Sequence, residues 1–301
     1  MSTEKMTWDF SDADYERIKD TCAALYVKAL KDMPPDVRTA LESAYEQETV
    51  DIGKQILSMI LDNIKVADSE GMLLCQDTGL PVYWVKAGNA LRFDGLRVEE
   101  AIRAGTYKST VNYSLRSSVV NAITRENYGT NTGDKVPVIH WEFVQGNELV
   151  ITALPKGSGS ENMSYLKCLV PAQGIKGVKK FILETVVESG ANPCPPTIVG
   201  VGIGGSADLC SVLAKKAVLR PVGTPNPDPD IAQMERELLE TINRTGLGAN
   251  GLGGAVTALA VHIEKADTHM TMNPVAVNMM CWENRRSTGI FHSNGQVEIT
   301  Y

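Results

Sequence analysis

The spacing of apolar residues changes after residue 70, and this change limits the chain to folds that combine helices with sheets. Over 1–70 the apolar side chains recur at helical spacing, with Ser11 as a predicted N-cap and a break at Pro34-Pro35. Over 71–301 strand-like and helix-like patterns follow one another. We therefore predict one α/β (mixed α+β) domain spanning 1–301, with a helical N-terminal region followed by mixed sheets flanked by helices.

The individual elements follow from the period and length of each apolar run. Alternating or continuous apolar runs predict strands, and two of them predict a β-hairpin across the turn 145–147. Longer periodic runs that end at glycine or proline predict helices. The predicted strands are 82–85, 136–143, 149–154, 197–203 and 255–263, and the predicted helices are about 12–33, from 36 onward, 50–69, 98–111, 175–189, 207–218 and 231–245.

Charge and apolar runs limit the classes of partner. The chain has 29 Lys and Arg against 36 Asp and Glu, a net charge of −7, and no basic stripe, which argues against a nucleic-acid partner. Local arginines can still bind an anionic substrate. No apolar run reaches the ~20 residues of a membrane helix, and the first five residues lack the apolar core of a signal peptide. We expect a cytoplasmic protein whose six cysteines are thiols or metal ligands.

Three of the cysteines lie in unusual settings. Cys75 begins Cys-Gln-Asp-Thr-Gly, which places a soft metal ligand, an amide, a carboxylate and a hydroxyl on successive residues. Cys194 lies in Asn-Pro-Cys-Pro-Pro, where prolines fix the backbone and remove N–H donors. Cys281 precedes Trp-Glu-Asn-Arg-Arg. Three such thiols could hold three corners of an iron–sulfur cluster, but no C-x-x-C pair is present, and a buried structural thiol is the alternative for each one alone.

Two glycine-rich segments allow the backbone to approach a ligand closely. Gly200–Gly205 fits G-x-G-x-x-G between a predicted strand and a predicted helix. The acidic residue expected ~20 positions later falls in a proline-broken segment, and the motif begins too late for a complete dinucleotide domain, so we favour tight turns over NAD binding. The second segment, Lys156–Asn162, can cradle a carboxylate with successive N–H groups, with a surface loop as the alternative.

Two further side chains are candidates for substrate chemistry. Arg116 ends a predicted helix, and its planar guanidinium can clamp a carboxylate, although most arginines are simply solvated. His269 is one of four histidines and lies in a polar, loop-like setting, where a structural role is the usual alternative.

Together these segments resemble one family. From about Met33 to Thr288 the chain is similar to the α subunit of two-subunit class I fumarate hydratases and L(+)-tartrate dehydratases, and to the N-terminal domain of single-chain class I fumarases. The matching segments are Cys-Gln-Asp-Thr-Gly, Lys-Gly-Ser-Gly-Ser-Glu-Asn-Met-Ser, Asn-Pro-Cys-Pro-Pro with Val-Gly-Val-Gly-Ile-Gly-Gly, and the final Cys-Trp with Arg-Arg. Their joint occurrence in this order is specific, whereas each alone is weak.

The resemblance implies a set of functional residues and a cofactor. It implies a [4Fe–4S] cluster with one open iron, catalytic residues near it, and substrate contacts from side chains and glycine backbone. The implied cluster ligands are Cys75, Cys194 and Cys281, the implied catalytic residues are Asp77 and His269, and the implied substrate-binding residues are Gln76, Arg116, Gly157 and Gly159.

The resemblance also implies a partner and a substrate class. Single-chain members continue into a second domain that carries a proposed threonine base and further arginines, so a separate β subunit is expected, in a hetero-oligomer. The expected reaction is reversible dehydration of a small 2-hydroxy dicarboxylic acid, with malate and fumarate preferred, L(+)-tartrate as the alternative and mesaconate or a related acid third. A non-catalytic iron–sulfur subunit and a nicotinamide dehydrogenase are the rival interpretations.

Overall fold

The computed structural model describes residues 7–301, so the first five residues, used above to argue against a signal peptide, lie outside the described residues. The helices are α1 (Asp12–Lys31), α2 (Pro35–Gln47), α3 (Asp51–Glu70), α4 (Gly95–Asn112), α5 (Ser158–Glu161), α6 (Gly174–Ser189), α7 (Ala207–Ala217) and α8 (Pro229–Asn243). The strands are β1 (Trp8–Asp9), β2 (Leu80–Gly88), β3 (Leu91–Arg92), β4 (Val138–Val144), β5 (Leu149–Lys156), β6 (Tyr165–Cys168), β7 (Thr197–Ile203), β8 (Ala258–Lys265), β9 (Pro274–Met280), β10 (Ser287–Phe291) and β11 (Val297–Thr300). The predicted mixed α/β class is confirmed.

Between residues 7 and 301, no helix has both the length and the apolar character that a bilayer span requires.

The helix signals in the sequence are confirmed at the start of α1 and at the end of α3. Ser11 donates its backbone N–H to Asp14 Oδ2 over 2.8 Å, and Asp14 returns its own N–H to the Ser11 carbonyl over 3.0 Å. This reciprocal pair satisfies donors that the first helical turn leaves open. At its other end α3 stops at Gly71, whose φ of +62° is a conformation that favours glycine.

The chain divides into two compact units. The first unit contains the residues up to Asp32 together with Gly71–Lys156 and Arg285–Tyr301. The second unit contains Met33–Glu70 and Gly157–Asn284. Of the three N-terminal helices, α1 therefore belongs to the first unit, and α2 and α3 belong to the second.

The first unit is built on a five-stranded mixed sheet in the order β11-β10-β5-β2-β4. Its core contains apolar residues of α1, α4 and the central strands, including Ile18, Leu25 and Ile102, all at most 1% exposed. The two helices cross closely because Gly105 of α4 has no side chain, and a Cβ there would lie 2.5 Å from the Lys19 carbonyl oxygen. This core fixes the start of β2, where the segment beginning with Cys75 enters the sheet.

The predicted hairpin in this sheet is wrong. Strands β4 and β5 form where predicted, but β2 lies between them, parallel to β4 and antiparallel to β5. The turn 145–147 instead contacts the end of β2, and a Cβ on Gly88 would lie 2.5 Å from the Gly146 carbonyl oxygen. Strand β2 is buried at most positions, so the apolar contacts on its two faces favour a central place in the sheet over direct pairing of β4 with β5.

The second unit is built on a four-stranded sheet in the order β6-β9-β7-β8. Helices α6 and α8 pack on one face through a core that includes Ile182, Leu238 and Ile242. Helix α7 contacts β7, β8 and β9 and packs through Cys210 and Ala214. Strand β9 was not predicted, because all its residues are buried and no alternating pattern marks it.

The Gly200–Gly205 segment packs a helix against a strand. A Cβ on Gly200 would lie 2.2 Å from the Ala214 carbonyl oxygen, and one on Gly202 would lie 2.0 Å from the Cys210 carbonyl oxygen. Both glycines therefore allow α7 to lie directly on β7. The motif is explained by helix–strand contact without a nucleotide.

Candidate active site

The segment that begins with Cys75 forms a tight turn at the entrance to β2. Its backbone is held to α1 by a hydrogen bond from the Leu74 N–H to the Leu30 carbonyl over 2.9 Å. The Asp77 N–H points at the Cys75 sulfur over 3.4 Å. Gly79 closes the turn with a φ of +72°, and a Cβ there would lie 2.6 Å from the Pro155 backbone. Glycine is therefore required at this position of the motif.

A buried polar network brings Arg116 to the same turn. The Thr78 hydroxyl donates to the Arg116 carbonyl over 2.7 Å, and the Asn131 side-chain amide donates to the same carbonyl over 3.1 Å. The Asn131 amide oxygen in turn accepts the Ser118 N–H over 2.8 Å. Thr78 and Asn131 are fully buried, whereas the Arg116 side chain is exposed. The network fixes the backbone of Arg116 and leaves its guanidinium available for an anion.

The carboxylate of the turn has a fixed orientation. Asp77 Oδ1 accepts the Gly79 N–H over 2.9 Å, and the Asp77 carbonyl accepts a hydrogen bond from Arg285 Nη1. Tyr26 donates its hydroxyl to the Thr78 carbonyl over 2.7 Å, and its burial raises the pKa of the phenol well above the ordinary value. A neutral phenol can keep donating this bond across the physiological pH range.

Asn131 and Arg285 belong to this site although the sequence patterns did not select them. Asn131 lies 53 residues from Thr78, and no local pattern marks a contact over that separation. Arg285 is 1% exposed, and it lies in the Arg-Arg pair that the sequence pattern had linked only to Cys281. A buried arginine is rare unless it has partners, so burial is the signal that reveals its role.

Cys194 and Cys281 are brought together in the second unit. Cys194 has a φ of +54° and donates its N–H to the Ala191 carbonyl over 3.0 Å. Its own carbonyl accepts the Trp282 N–H over 3.3 Å. Cys194 is exposed and Cys281 is buried. The sequence places these cysteines in different segments, and a direct backbone hydrogen bond joins the segments in the fold.

Strand pairing explains this meeting. β7 and β9 are antiparallel, and Ile198 near the start of β7 pairs with Met280 at the end of β9. Cys194 precedes β7 and Cys281 follows β9, so both lie at the same edge of the sheet.

The glycines of Lys156–Asn162 lie beside the Cys194 segment. Gly157 caps the short helix α5. A Cβ on Gly159 would lie 2.8 Å from the Asn192 carbonyl oxygen, so α5 can approach this segment only with glycine at that position. The structure therefore places Gly159 beside the segment that leads to Cys194.

His269 lies at the opposite edge of the same sheet. It falls between β8 and β9 and is exposed. Its Nδ1 lies 2.9 Å from the Thr271 hydroxyl. The seven residues of β9 separate this edge from Cys281, which corresponds to about 20 Å at the rise of an extended strand. The sheet does not bring His269 to the two cysteines of its own unit.

The remaining cysteines differ from these three in their surroundings. Cys22 lies buried in α1, where burial raises the pKa of its thiol. Cys210 lies buried in α7, and burial raises the pKa of that thiol to about 11. Cys168 is exposed at the end of β6. Two of these cysteines are therefore core thiols and one is a surface thiol.

The donor chemistry of the candidate site fits an iron–sulfur group. Thiolates are the usual ligands of such clusters. Cys194 and Cys281 lie at one edge of the sheet, where the Trp282 N–H, next to Cys281, donates to the Cys194 carbonyl. Among residues 7–301, no group of three or more His, Cys, Asp and Glu side chains is arranged to hold a metal ion. The chain thus shows two thiols on adjoining segments and a third, Cys75, on a structured turn of the first unit.

A family model matches most of the chain. The model described as fumarate hydratase (Fumerase) matches residues 19–290. The chain belongs to this family.

Relatives within the fumarate hydratase family carry α-subunit names. A protein of Methanocaldococcus jannaschii with the provisional name L(+)-tartrate dehydratase subunit alpha is 46% identical over 274 residues, which cover 90% of this chain and 96% of that protein. The L(+)-tartrate dehydratase subunit alpha of Escherichia coli O157:H7 is 36% identical over 263 residues, which cover 87% of this chain and 86% of that protein. The same figures hold for the protein of that name from Escherichia coli K12. The chain therefore matches these relatives over most of its own length and most of theirs.

Proposed function

We propose that the chain is the α subunit of a hydro-lyase that dehydrates a small 2-hydroxy dicarboxylic acid, with L(+)-tartrate as its substrate. The names of the similar proteins favour tartrate over the malate and fumarate preferred from the sequence. Fumarate and malate stay the second candidate, because the family model carries the fumarate hydratase description.

One observation carries the proposal. The Thr78 and Asn131 network holds a thiol, an amide, a carboxylate and a guanidinium on two adjoining loops of the first unit. A dicarboxylate needs a cationic clamp, and its dehydration needs a group that handles protons near the leaving hydroxyl. A subunit that only carried a cluster would have no need of an exposed arginine on a loop that is fixed to the turn of Cys75.

The proposed cofactor is a [4Fe–4S] cluster with one open iron, held by Cys75, Cys194 and Cys281. When bound, it supplies a Lewis acid that polarises the substrate hydroxyl and carboxylate. Thiolate ligands require a reducing compartment, and we propose the cytoplasm.

The other roles belong to side chains of the chain itself. Arg116 binds one substrate carboxylate through two parallel N–H donors, and Gln76, exposed at the turn, donates its amide to a substrate oxygen. Asp77, oriented by the Gly79 N–H, would give a proton to the departing hydroxyl, which leaves as water, and would take it back in the reverse reaction.

The remaining proposed roles concern the second unit. Gly157 and Gly159 contact the substrate through their backbone at the start of α5. His269 is proposed as a second proton-handling group, although it lies at the sheet edge away from Cys281. A substitution of His269 tests that part of the proposal separately from the rest.

We further propose a β subunit as partner. It supplies the base that removes the proton from the carbon next to the carboxylate, together with further carboxylate-binding groups. The basis for this partner is the α-subunit name of the relatives and the resemblance to the N-terminal domain of single-chain fumarases.

An anaerobic assay tests the proposal. The chain alone, and the chain co-expressed with its candidate β subunit, are reconstituted with ferrous iron, sulfide and thiol, then assayed with L(+)-tartrate, D-tartrate and L-malate. Dehydration of L(+)-tartrate by the pair alone is the expected result, with D-tartrate as the stereochemical control. Preference for L-malate would move the assignment to fumarate hydratase, and no turnover of any acid by a pair that holds iron would contradict a hydro-lyase function.

A further inference from the structure

The carboxylate of Glu48 is buried and held by backbone amides. Glu48 is the C-cap residue of α2 and is 3% exposed. Its Oε1 accepts the N–H groups of Thr49 and Val50 over 2.9 Å each, just before α3 begins. The Ala255 N–H lies 2.9 Å from Oε1 and 2.8 Å from Oε2, and the Val256 N–H lies 3.3 Å from Oε2. One side chain therefore joins the start of α3 to the segment before β8.

Two glycines make the space for this carboxylate. A Cβ on Gly53 of α3 would lie 2.7 Å from Glu48 Oε2, and one on Gly254 would lie 2.5 Å from the same oxygen. Gly254 also has a φ of +147°, a conformation that L side chains rarely adopt. Four amides and two glycines thus surround a carboxylate within the second unit.

The segment held by Glu48 contacts the Cys194 turn on both sides. The Asn250 N–H donates to the Pro195 carbonyl over 2.8 Å, just after Cys194. Before Cys194, the loop meets Ala191, since a Cβ on Gly251 would lie 2.6 Å from the Ala191 side chain. We call residues 246–256 the glycine-rich loop.

The Cys194 turn needs outside support. A non-glycine residue with φ of +54° has a strained backbone, and this conformation persists only where the surroundings hold it. The glycine-rich loop supplies part of that support, and five of its glycines have positive φ. A loop with so much backbone freedom needs a fixed point of its own.

We propose that Glu48 is a positioning residue for the Cys194 turn, acting through the glycine-rich loop. The carboxylate fixes Ala255 and Val256 at the end of the glycine-rich loop. The loop is thereby held against the Cys194 turn, and the thiol of Cys194 is kept in one orientation. The inference rests on the proposed function, because Cys194 matters to catalysis only as the proposed cluster ligand.

A carboxylate suits this task better than an amide. It presents two acceptor oxygens and no donor, and all the groups that bond to it are N–H donors. Burial works to raise the pKa of Glu48, but the backbone hydrogen bonds, led by that of Ala255, outweigh it and hold the pKa below its ordinary value. The charge is thus retained at neutral pH.

Hydrogen exchange on the full chain tests the positioning role. Glu48→Gln keeps the size of the side chain but turns one acceptor into a donor that faces N–H groups. We expect amides in the peptides covering 190–198 and 246–257 to exchange at least about ten-fold faster, because buried donors lose their acceptor. Iron bound after anaerobic reconstitution should fall in parallel.

Glu235→Gln is the matched control. Glu235 is a second buried carboxylate of the same unit and accepts the Ile263 N–H over 2.7 Å. Ile263 lies near the end of β8 that is farther from the glycine-rich loop. Exchange is compared at equal intervals below each variant's melting temperature. In Glu235→Gln, the exchange rates at 190–198 should stay within about two-fold of the wild-type rates, and the amount of bound iron should be unchanged.

Two results would overturn the inference. The first is that Glu48→Gln exchanges faster at 246–257 but keeps the wild-type exchange rate at 190–198. The second is that Glu48→Gln and Glu235→Gln accelerate exchange at 190–198 equally. If Glu48→Gln does not fold, Glu48→Asp, which keeps the charge but shortens the reach, takes its place. Failure of the proposed function has a different signature: full iron content in Cys194→Ser, with the exchange pattern of Glu48→Gln unchanged.

Discussion

Cys194 and Cys168 are both exposed, but their surroundings predict opposite results for the same substitution. Cys194 lies in a turn joined to the segment of Cys281 by the Trp282 hydrogen bond, whereas Cys168 ends an outer strand of its sheet. We expect Cys194→Ser to lose most of the iron bound on anaerobic reconstitution, and Cys168→Ser to retain it, because serine is a poor substitute for a thiolate ligand. Iron analysis of the two variants measures this. Equal iron content in both would contradict the ligand assignment.

The shape of the Arg116 side chain should matter more than its charge. Arg116→Lys keeps the cation but loses the planar fork that pairs with a carboxylate. We expect kcat/KM to fall roughly 10- to 100-fold, the range that follows from losing about 1.5–3 kcal/mol of hydrogen bonding to a charged group. Steady-state kinetics of the reconstituted pair measure the change.

Arg97→Lys is the control for this prediction, because Arg97 pairs with Asp12 at the surface of the first unit. Its kinetics should match those of the unsubstituted chain. A loss as large as that of Arg116→Lys would indicate a general effect of arginine replacement and would remove Arg116 from the proposed site.

At the scale of elements, the contact of α7 with β7 depends on the absence of a side chain at Gly202. Gly202→Ala would place a Cβ 2.0 Å from the Cys210 carbonyl oxygen, so α7 must move. We expect the free energy of unfolding to fall by about 1–3 kcal/mol or more, the usual cost of inserting atoms into a packed interior. Gly95→Ala, where the nearest atom lies 3.9 Å away, should change it by less than about 0.5 kcal/mol. Denaturant unfolding distinguishes them, and equal effects would show that the close approach is not required.

The sequence predicts elements best where one period dominates. The helices α1 and α3 appear where apolar spacing and end signals place them. Strand β9 carries no alternation because it is buried throughout, and the hairpin of β4 with β5 fails because β2 occupies the place between them. Local patterns report which faces are apolar, but the partner of a strand depends on contacts distant in the chain.

At the scale of the whole molecule, several carboxyl groups predict a loss of stability in acid. For Glu48, burial works to raise the pKa, but the backbone hydrogen bonds have the larger effect, so the pKa lies below its ordinary value. For Glu237, the hydrogen bond from Lys179 lowers the pKa. A carboxyl group whose pKa is lower in the folded state than in the unfolded state stabilises the fold. This contribution is complete above the ordinary pKa of 4.5 and is lost as the pH falls through the pKa of the folded state. The free energy of unfolding should therefore be flat near neutral pH and should decrease below about pH 4.5.

Chemical unfolding between pH 7 and pH 3 measures this dependence. Glu48→Gln should show a shallower decrease in acid, because it no longer has a proton to gain at that position. A free energy of unfolding that increased on acidification would contradict the assigned directions.

Exposure to air should inactivate the assembled enzyme. Three cysteines would hold the proposed cluster and would leave one iron without a protein ligand, so oxidation should release that iron. We expect activity to fall in air and to recover on anaerobic addition of ferrous iron and thiol, as followed by dehydration assays alongside iron analysis. An anaerobic sample handled for the same time is the control, and activity unchanged by prolonged aeration would contradict an open iron.

The sequence by itself determined the local chemistry of this protein: where its main helices begin and end, which turns require glycine, and which cysteines lie in rigid or polar settings. Only the tertiary structure decided which of these segments meet. Antiparallel pairing of β7 with β9 joins Cys194 to the segment of Cys281 and leaves His269 at the other edge. The contacts of Asn131 with Thr78 and of Glu48 with Ala255 likewise connect residues that are far apart in the chain. Helix ends and turns depend on neighbouring residues, whereas strand order and buried polar networks depend on packing across the whole fold.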